Sequence, residues 1–229
     1  MDLYKYYSHP EQLNRYAEAD QIVPSRVYAM TELGTQLTPK QINTIAKDAI
    51  YAYSYSRYIL KSPFPPGEDA IAKDAWYAYQ YARDILKSPF PKGENAIAKD
   101  TRYAYYYACY ILKGPFPAGE DAISKNAEHA CNYAQYVLKS PWPEGENAIA
   151  KDAEYAYVYA YYVIKGPWPK GEDVVSKDVI HAYNYARNVL KSPWPKGEDA
   201  ISKDARYAYL YARYVIKLPE EQAKQWGAK

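Results

Sequence analysis

From Thr38 to Lys217 the apolar and polar positions recur with a period of 26 residues, and the stretch Pro66 to Pro91, PGEDAIAKDAWYAYQYARDILKSPFP, is the clearest copy. Fixed self-similarity on this scale marks a solenoid, whose units are too small to bury an apolar face alone and so stack on their neighbours. Within each unit the pattern predicts two helices and a stop. The first helix opens at Gly67-Glu68-Asp69, with two carboxylates at the positive end of the helix dipole, and runs for about two turns to Lys73. Asp74 is then the N-cap of the second helix, as are Asp48, Asp100, Asp152, Asp178 and Asp204, with Asn126 in the fourth unit. That second helix spans residues 75–87. Ser88-Pro89-Phe90-Pro91 ends it, because proline has no amide donor and biases its predecessor away from helix.

Taken at about 100° per residue, the positions kept from unit to unit fall within an arc of roughly 200° and predict the packing face. They are those of Tyr77, Ala78, Tyr79, Tyr81, Ala82, Ile85 and Leu86. The positions that change, those of Trp76, Gln80, Arg83 and Asp84, lie at i, i+4, i+7 and i+8, a single helical stripe. The expected fold is an all-α solenoid of stacked two-helix repeats, with seven units at 38–217, a degenerate N-terminal capping unit at 1–37 and a C-terminal cap at 218–229. In the capping unit, helices are expected from Pro10 to Ala19 and from Pro24 to Leu33, the second carrying Tyr28-Ala29 and ended by Gly34 in a C′ role. Thr38 and Gln41 form the signature of a capping box at the head of a first helix running from Pro39 to Lys47. The Pro-aromatic-Pro corners, with Phe64, Phe90, Phe116, Trp142, Trp168 and Trp194, are expected to wedge their rings between units. A last turn through Trp226 is expected to cover the open end.

The Trp/Phe-Pro-x-Gly-Glu corner, the Ile-Ala-Lys-Asp junction and the Tyr-Ala-x-x-Val/Ile-Leu/Ile-Lys helix together resemble a short helical tandem repeat of phage-encoded proteins. The resemblance covers about four-fifths of the chain by the repeat's own span. Leu37 to Gln41 replaces the corner in the first unit, Val174-Val175 replaces Ala-Ile in the sixth, and Ser56 replaces the second Ala in the first. It implies a viral origin and a helical array. It brings no agreed activity and no functional residue.

Composition narrows the chemistry. A net charge of +2 over 229 residues is no footprint of a dedicated nucleic-acid binder. Thirty tyrosines against three phenylalanines follow from the repeat, which sets several on each second helix. Cys109 and Cys131 sit in different units without a paired motif, which favours a reducing compartment and suggests neither a disulfide framework nor a zinc site. There is no apolar leader segment at the start and no run long enough to span a bilayer, so a soluble protein of the cytoplasm, the host cytoplasm if phage-encoded, is expected. His129 and His181 take the place of Tyr77 and read as packing residues; pairs such as Glu68-Asp69 point apart on a first turn and cannot converge on one cleft. Phosphate loops, catalytic triads and metal-ligand spacings are not seen, so neither an enzyme nor a cofactor or metal is expected. Lys61, Lys87, Lys113, Lys139, Lys165, Lys191 and Lys217 close successive second helices, where the helix dipole favours a cation. They could also line an edge that follows phosphates.

The variable stripe carries the functional reading. Trp76, Arg83, Arg102, Tyr106, Tyr110, Tyr136, Val158, Tyr161, Tyr162 and Arg187 lie on it, and Tyr, Trp and Arg are the types enriched at interface hot spots. The chain therefore reads as a non-catalytic binder of a protein partner, with no membrane role; the phage resemblance extends this to an inhibitor of a host defence protein. Nucleotide or oligosaccharide binding in a Tyr-lined groove is the alternative. Single-stranded nucleic acid on the lysine edge comes third.

Overall fold

The computed structural model describes Thr31, Gly34 and residues 36–226. The helices expected at Pro10–Ala19 and around Tyr28-Ala29 lie outside the described residues. Gly34 has φ +75° and its amide donates to the Thr31 carbonyl, the left-handed C′ geometry its position predicts. The described residues form an all-α solenoid of helix pairs that repeat at about 26 residues and pack on their neighbours, with no strand among them. They divide between Lys99 and Asp100 into two compact units, and the same packing is found within each.

The predicted caps are in place. Thr38 and Gln41 make the reciprocal capping box, although the helix that follows ends at Ile45 rather than at Lys47. Asp48, Asp74, Asp100, Asn126, Asp152, Asp178 and Asp204 each accept from amides of the first turn of the second helix. All six corner rings are buried. After a Phe corner the first helix begins with a 3-10 turn, Pro65–Gly67 before Glu68–Ile71, whereas after a Trp corner it is one α-helix, such as Pro143–Ile149.

The second helix departs from the expected single α-helix. Ala75–Gln80 is α-helical, but Tyr81–Leu86 widens into a π-helix, and the same switch recurs in the first six repeats. Only the last repeat keeps α geometry throughout, from Ala205 to Tyr214. The terminal lysine is not a helical residue either. Lys61, Lys87, Lys113, Lys139, Lys165, Lys191 and Lys217 all have φ between 53° and 67°. This left-handed position is one that glycine normally fills, and a side chain with a Cβ costs about 1–2 kcal/mol there. In the second repeat the Lys87 and Ser88 amides both reach the Ala82 carbonyl, which closes the widened turn before Pro89.

Two contacts set the stacking. The second-helix alanines Ala52, Ala78, Ala104, Ala130, Ala156 and Ala182 are buried against the corner glycine of the next repeat. A Cβ on Gly119 would lie 2.8 Å from the Ala104 Cβ and 2.6 Å from the Phe116 ring, so no other residue fits at that close approach. The other contact is a clamp made by tyrosine. The Tyr159 hydroxyl accepts from the Trp142 amide at 2.7 Å and donates to Glu146 Oε1 at 3.2 Å, while its ring packs on Trp168 at 4.9 Å. One fully buried side chain thus joins the corner before its repeat to the corner after it. Tyr133 does the same with Phe116, Glu120 and Trp142, and Tyr185 with Trp168, Glu172 and Trp194. In the first unit Tyr81 joins Phe64, Glu68 and Phe90. At the end of the array Tyr211 has no further corner, and Trp226, on the terminal helix Glu220–Trp226, supplies the missing ring at 5.5 Å.

Candidate interaction surface

One position near the end of each second helix is left unburied in all seven repeats. In the second unit this position holds Tyr110, Tyr136, Tyr162, Asn188 and Tyr214, and the first three are 61%, 59% and 52% exposed on three consecutive repeats. Tyr161 stands beside Tyr162 with 40% exposure, edge-on to it at 4.7 Å and stacked on Tyr157 at 5.9 Å. A large polar-tipped aromatic in water, repeated at one register, forms a ridge. The helix ends that carry it, residues 107–113, 133–139 and 159–165, contain no acidic residue.

Where the same position is not tyrosine, it bonds backward. Asn188 donates to the Tyr157 hydroxyl at 2.9 Å, and in the first unit Asp84 accepts from the Tyr53 hydroxyl at 3.0 Å and from Arg57. A short polar side chain here ties one repeat to the previous one, whereas the tyrosines project.

The other stripe residues are distributed unevenly. Tyr106 is half-buried, in ring contact with Tyr105, Tyr110 and His129, and Val158 is half-buried too. Arg102 is exposed at the start of its helix. Arg187 donates to the Tyr183 hydroxyl at 2.8 Å and lies over the Tyr214 ring at 5.3 Å. In the first unit Trp76 is 38% exposed, edge-on to Tyr77 at 4.6 Å, and Arg83 is exposed and paired with Asp84 at 2.6 Å. Within the second unit the stripe therefore resolves into an open ridge, Tyr110-Tyr136-Tyr161-Tyr162, and a half-covered flank at Tyr106 and Val158.

Titratable groups elsewhere lie in packing positions. His129 is buried against the Tyr105 ring at 5.4 Å, and burial pulls its imidazole below the usual value of 6.5, with Glu128 opposing. His181 is held by Asp178, 2.8 Å from Nδ1. Burial pushes the Cys131 thiol up to about 12, which suppresses its thiolate. No group of three or more His, Cys, Asp or Glu capable of holding a metal is found among the described residues. No described helix is long and apolar enough to cross a membrane.

Sequence reasoning missed the tyrosine clamp. Its signal was present: a glutamate stands 13 residues before Tyr81, Tyr133, Tyr159, Tyr185 and Tyr211, as Glu68, Glu120, Glu146, Glu172 and Glu198. The left-handed lysines gave none, since a lysine at a helix end is ordinary on dipole grounds. Comparison with family models, with curated proteins and with solved structures returned no match.

Proposed function

We propose that the chain is a non-catalytic binding protein that engages a protein partner through the tyrosine ridge of its second unit. The observation that carries this reading is the outward Tyr110, Tyr136 and Tyr162, each more than half exposed, at one register of three consecutive repeats. Tyrosine offers a large, rigid, amphipathic contact with few rotatable bonds, and such residues concentrate binding energy at the centre of an interface. Tyr161 widens the ridge at its fifth-repeat end, while Arg102 and Arg187 supply charge at its margins. The repeat's resemblance to phage-encoded arrays is the support for a narrower role, occupation of a host defence protein.

The test is comparative capture from host lysate with the intact chain and with Tyr136→Ala/Tyr162→Ala. A partner retained by the intact chain and lost by the variant, with the two helical melts superimposed, is the expected result. A partner retained equally by both would overturn the assignment of the ridge.

A further inference from the structure

A second polar feature lies in the first unit. Arg57 and Lys61 of the first repeat and Arg83 and Lys87 of the second line one concavity of about 520 Å3, with Asp84 and Ile85 completing the wall. The two repeats carry the same arginine-to-lysine spacing at the same register, so stacking brings four cations together. Asp84 organises half of them: it pairs with Arg57 and, at 2.6 Å, with Arg83, while the Tyr53 hydroxyl donates to it at 3.0 Å. Lys61 and Lys87 have no carboxylate partner among the described residues, in contrast to Lys92, Lys125, Lys170, Lys196, Lys203 and Lys224.

Four cations against one carboxylate leave a local excess of positive charge that an anionic ligand would offset. The chemistry selects the ligand class. Guanidinium forks held in place by a carboxylate suit the several oxygens of a phosphoryl group, and the lysines add point charges at the rim. The volume lies within the span of small-ligand pockets. Tyr58, more than half exposed, stands beside Arg57, whose guanidinium lies over its ring at 5.6 Å.

We infer that the concavity between Arg57, Lys61, Arg83 and Lys87 is a binding site for a phosphoanhydride chain, such as that of a nucleoside triphosphate or of inorganic polyphosphate. This site is independent of the ridge and of its partner.

Titration calorimetry of the full chain in physiological salt, with tripolyphosphate and separately with ATP, reads the site directly. Both should bind. Equal affinities mark the phosphoanhydride chain alone as the ligand, and tighter ATP marks a base read at the Tyr58 ring; either supports the site. Lys61→Gly together with Lys87→Gly removes two charges while easing the backbone, so the variant should melt higher yet bind at least about tenfold more weakly. Lys139→Gly, at a left-handed position whose neighbour four residues earlier is Gln135, should bind as the intact chain does. Absence of heat with tripolyphosphate would overturn the site, as would an equal loss in Lys139→Gly, which would mean diffuse charge. Displacement of tripolyphosphate by polyglutamate at equal charge concentration would also overturn the phosphoryl assignment.

Discussion

Tyr133 and Tyr136 stand three residues apart on the helix of the fourth repeat and have opposite surroundings. Tyr133 is fully buried, bonded through its hydroxyl to the Phe116 amide and Glu120, and packed on the tilted Trp142 ring; Tyr136 is 59% exposed. The pair teaches that residue type does not separate packing from recognition in a tyrosine-rich array. Partners do: a phenol whose hydroxyl is fixed between two corners belongs to the fold, and one that repeats outward is free to meet something else.

The comparison breaks most readily at its buried member. Tyr133→Ala deletes a core ring and strands the Phe116 amide, and should cost about 3–5 kcal/mol in denaturant melts. A cost below about 1 kcal/mol would mean that the clamp is dispensable.

The exposed member should show the reverse. Tyr136→Ala and Tyr162→Ala should each weaken partner binding by about 2 kcal/mol in a titration, while stability moves by less than about 0.5 kcal/mol. If these variants unfold early instead, the ridge is packing and its exposure is misleading.

A finer cut keeps the ring and removes the hydroxyl. Tyr133→Phe should cost about 1.5 kcal/mol, the scale of a stranded buried donor. Alkaline pH probes the same bond. Burial, assisted by Glu68, pushes the Tyr81 phenol up to about 12, and burial raises Tyr133, Tyr159, Tyr185 and Tyr211 in the same direction. A folded pKa above the unfolded 10.0 contributes stability in full below pH 10.0, and that stability is lost as pH rises through the folded value. Absorbance at the phenolate band should therefore show these rings ionising together with unfolding, and Tyr133→Phe should make the loss of stability shallower.

The smallest effect is expected at His129, which holds a tyrosine's place in the repeat. Its imidazole is depressed below 6.5 by burial, so its contribution is present above pH 6.5 and is lost as pH falls through the folded value. Melts of the wild type between pH 7 and pH 5 should show a loss that His129→Tyr removes.

Much of this molecule is readable in its sequence, because caps, corners and period are local signals. Asp74 announces a helix start and Pro89-Phe90-Pro91 a stop, and neither needs a distant contact to do so. The π segments are not readable in the same way. A step of about 100° assumes α geometry, and Tyr159–Tyr162, which is π, differs from Tyr211–Tyr214, which stays α, only in having Tyr161 where the last repeat has Arg213. The stripe groups the positions of Tyr106 and Val158 with those of Tyr110 and Tyr162, yet the first pair is half-covered and the second stands in water, a split that recurs at Leu210 and Tyr214 where the helix stays α. The cationic concavity escaped for another reason. Arg57 and Arg83 lie 26 positions apart in sequence, and only the stacking of two repeats puts both on Asp84.

The tyrosine clamp also bears on how such a chain changes over generations. Each clamp refers only to the corner before and the corner after, and those corners are interchangeable in kind. Excision of residues 118–143 would join Pro117 to Glu144 and leave the Phe116 amide facing Tyr159, with Glu146 still 13 residues ahead of that tyrosine. Recombination between repeats in the gene can therefore lengthen or shorten the array by whole steps without creating a new kind of junction. A gain or loss of any other length would strand a corner. The surface ridge, by contrast, lengthens or shortens whenever such an event falls within the third to fifth repeats, so the reach of the molecule toward a partner can drift while its internal joinery is inherited unchanged.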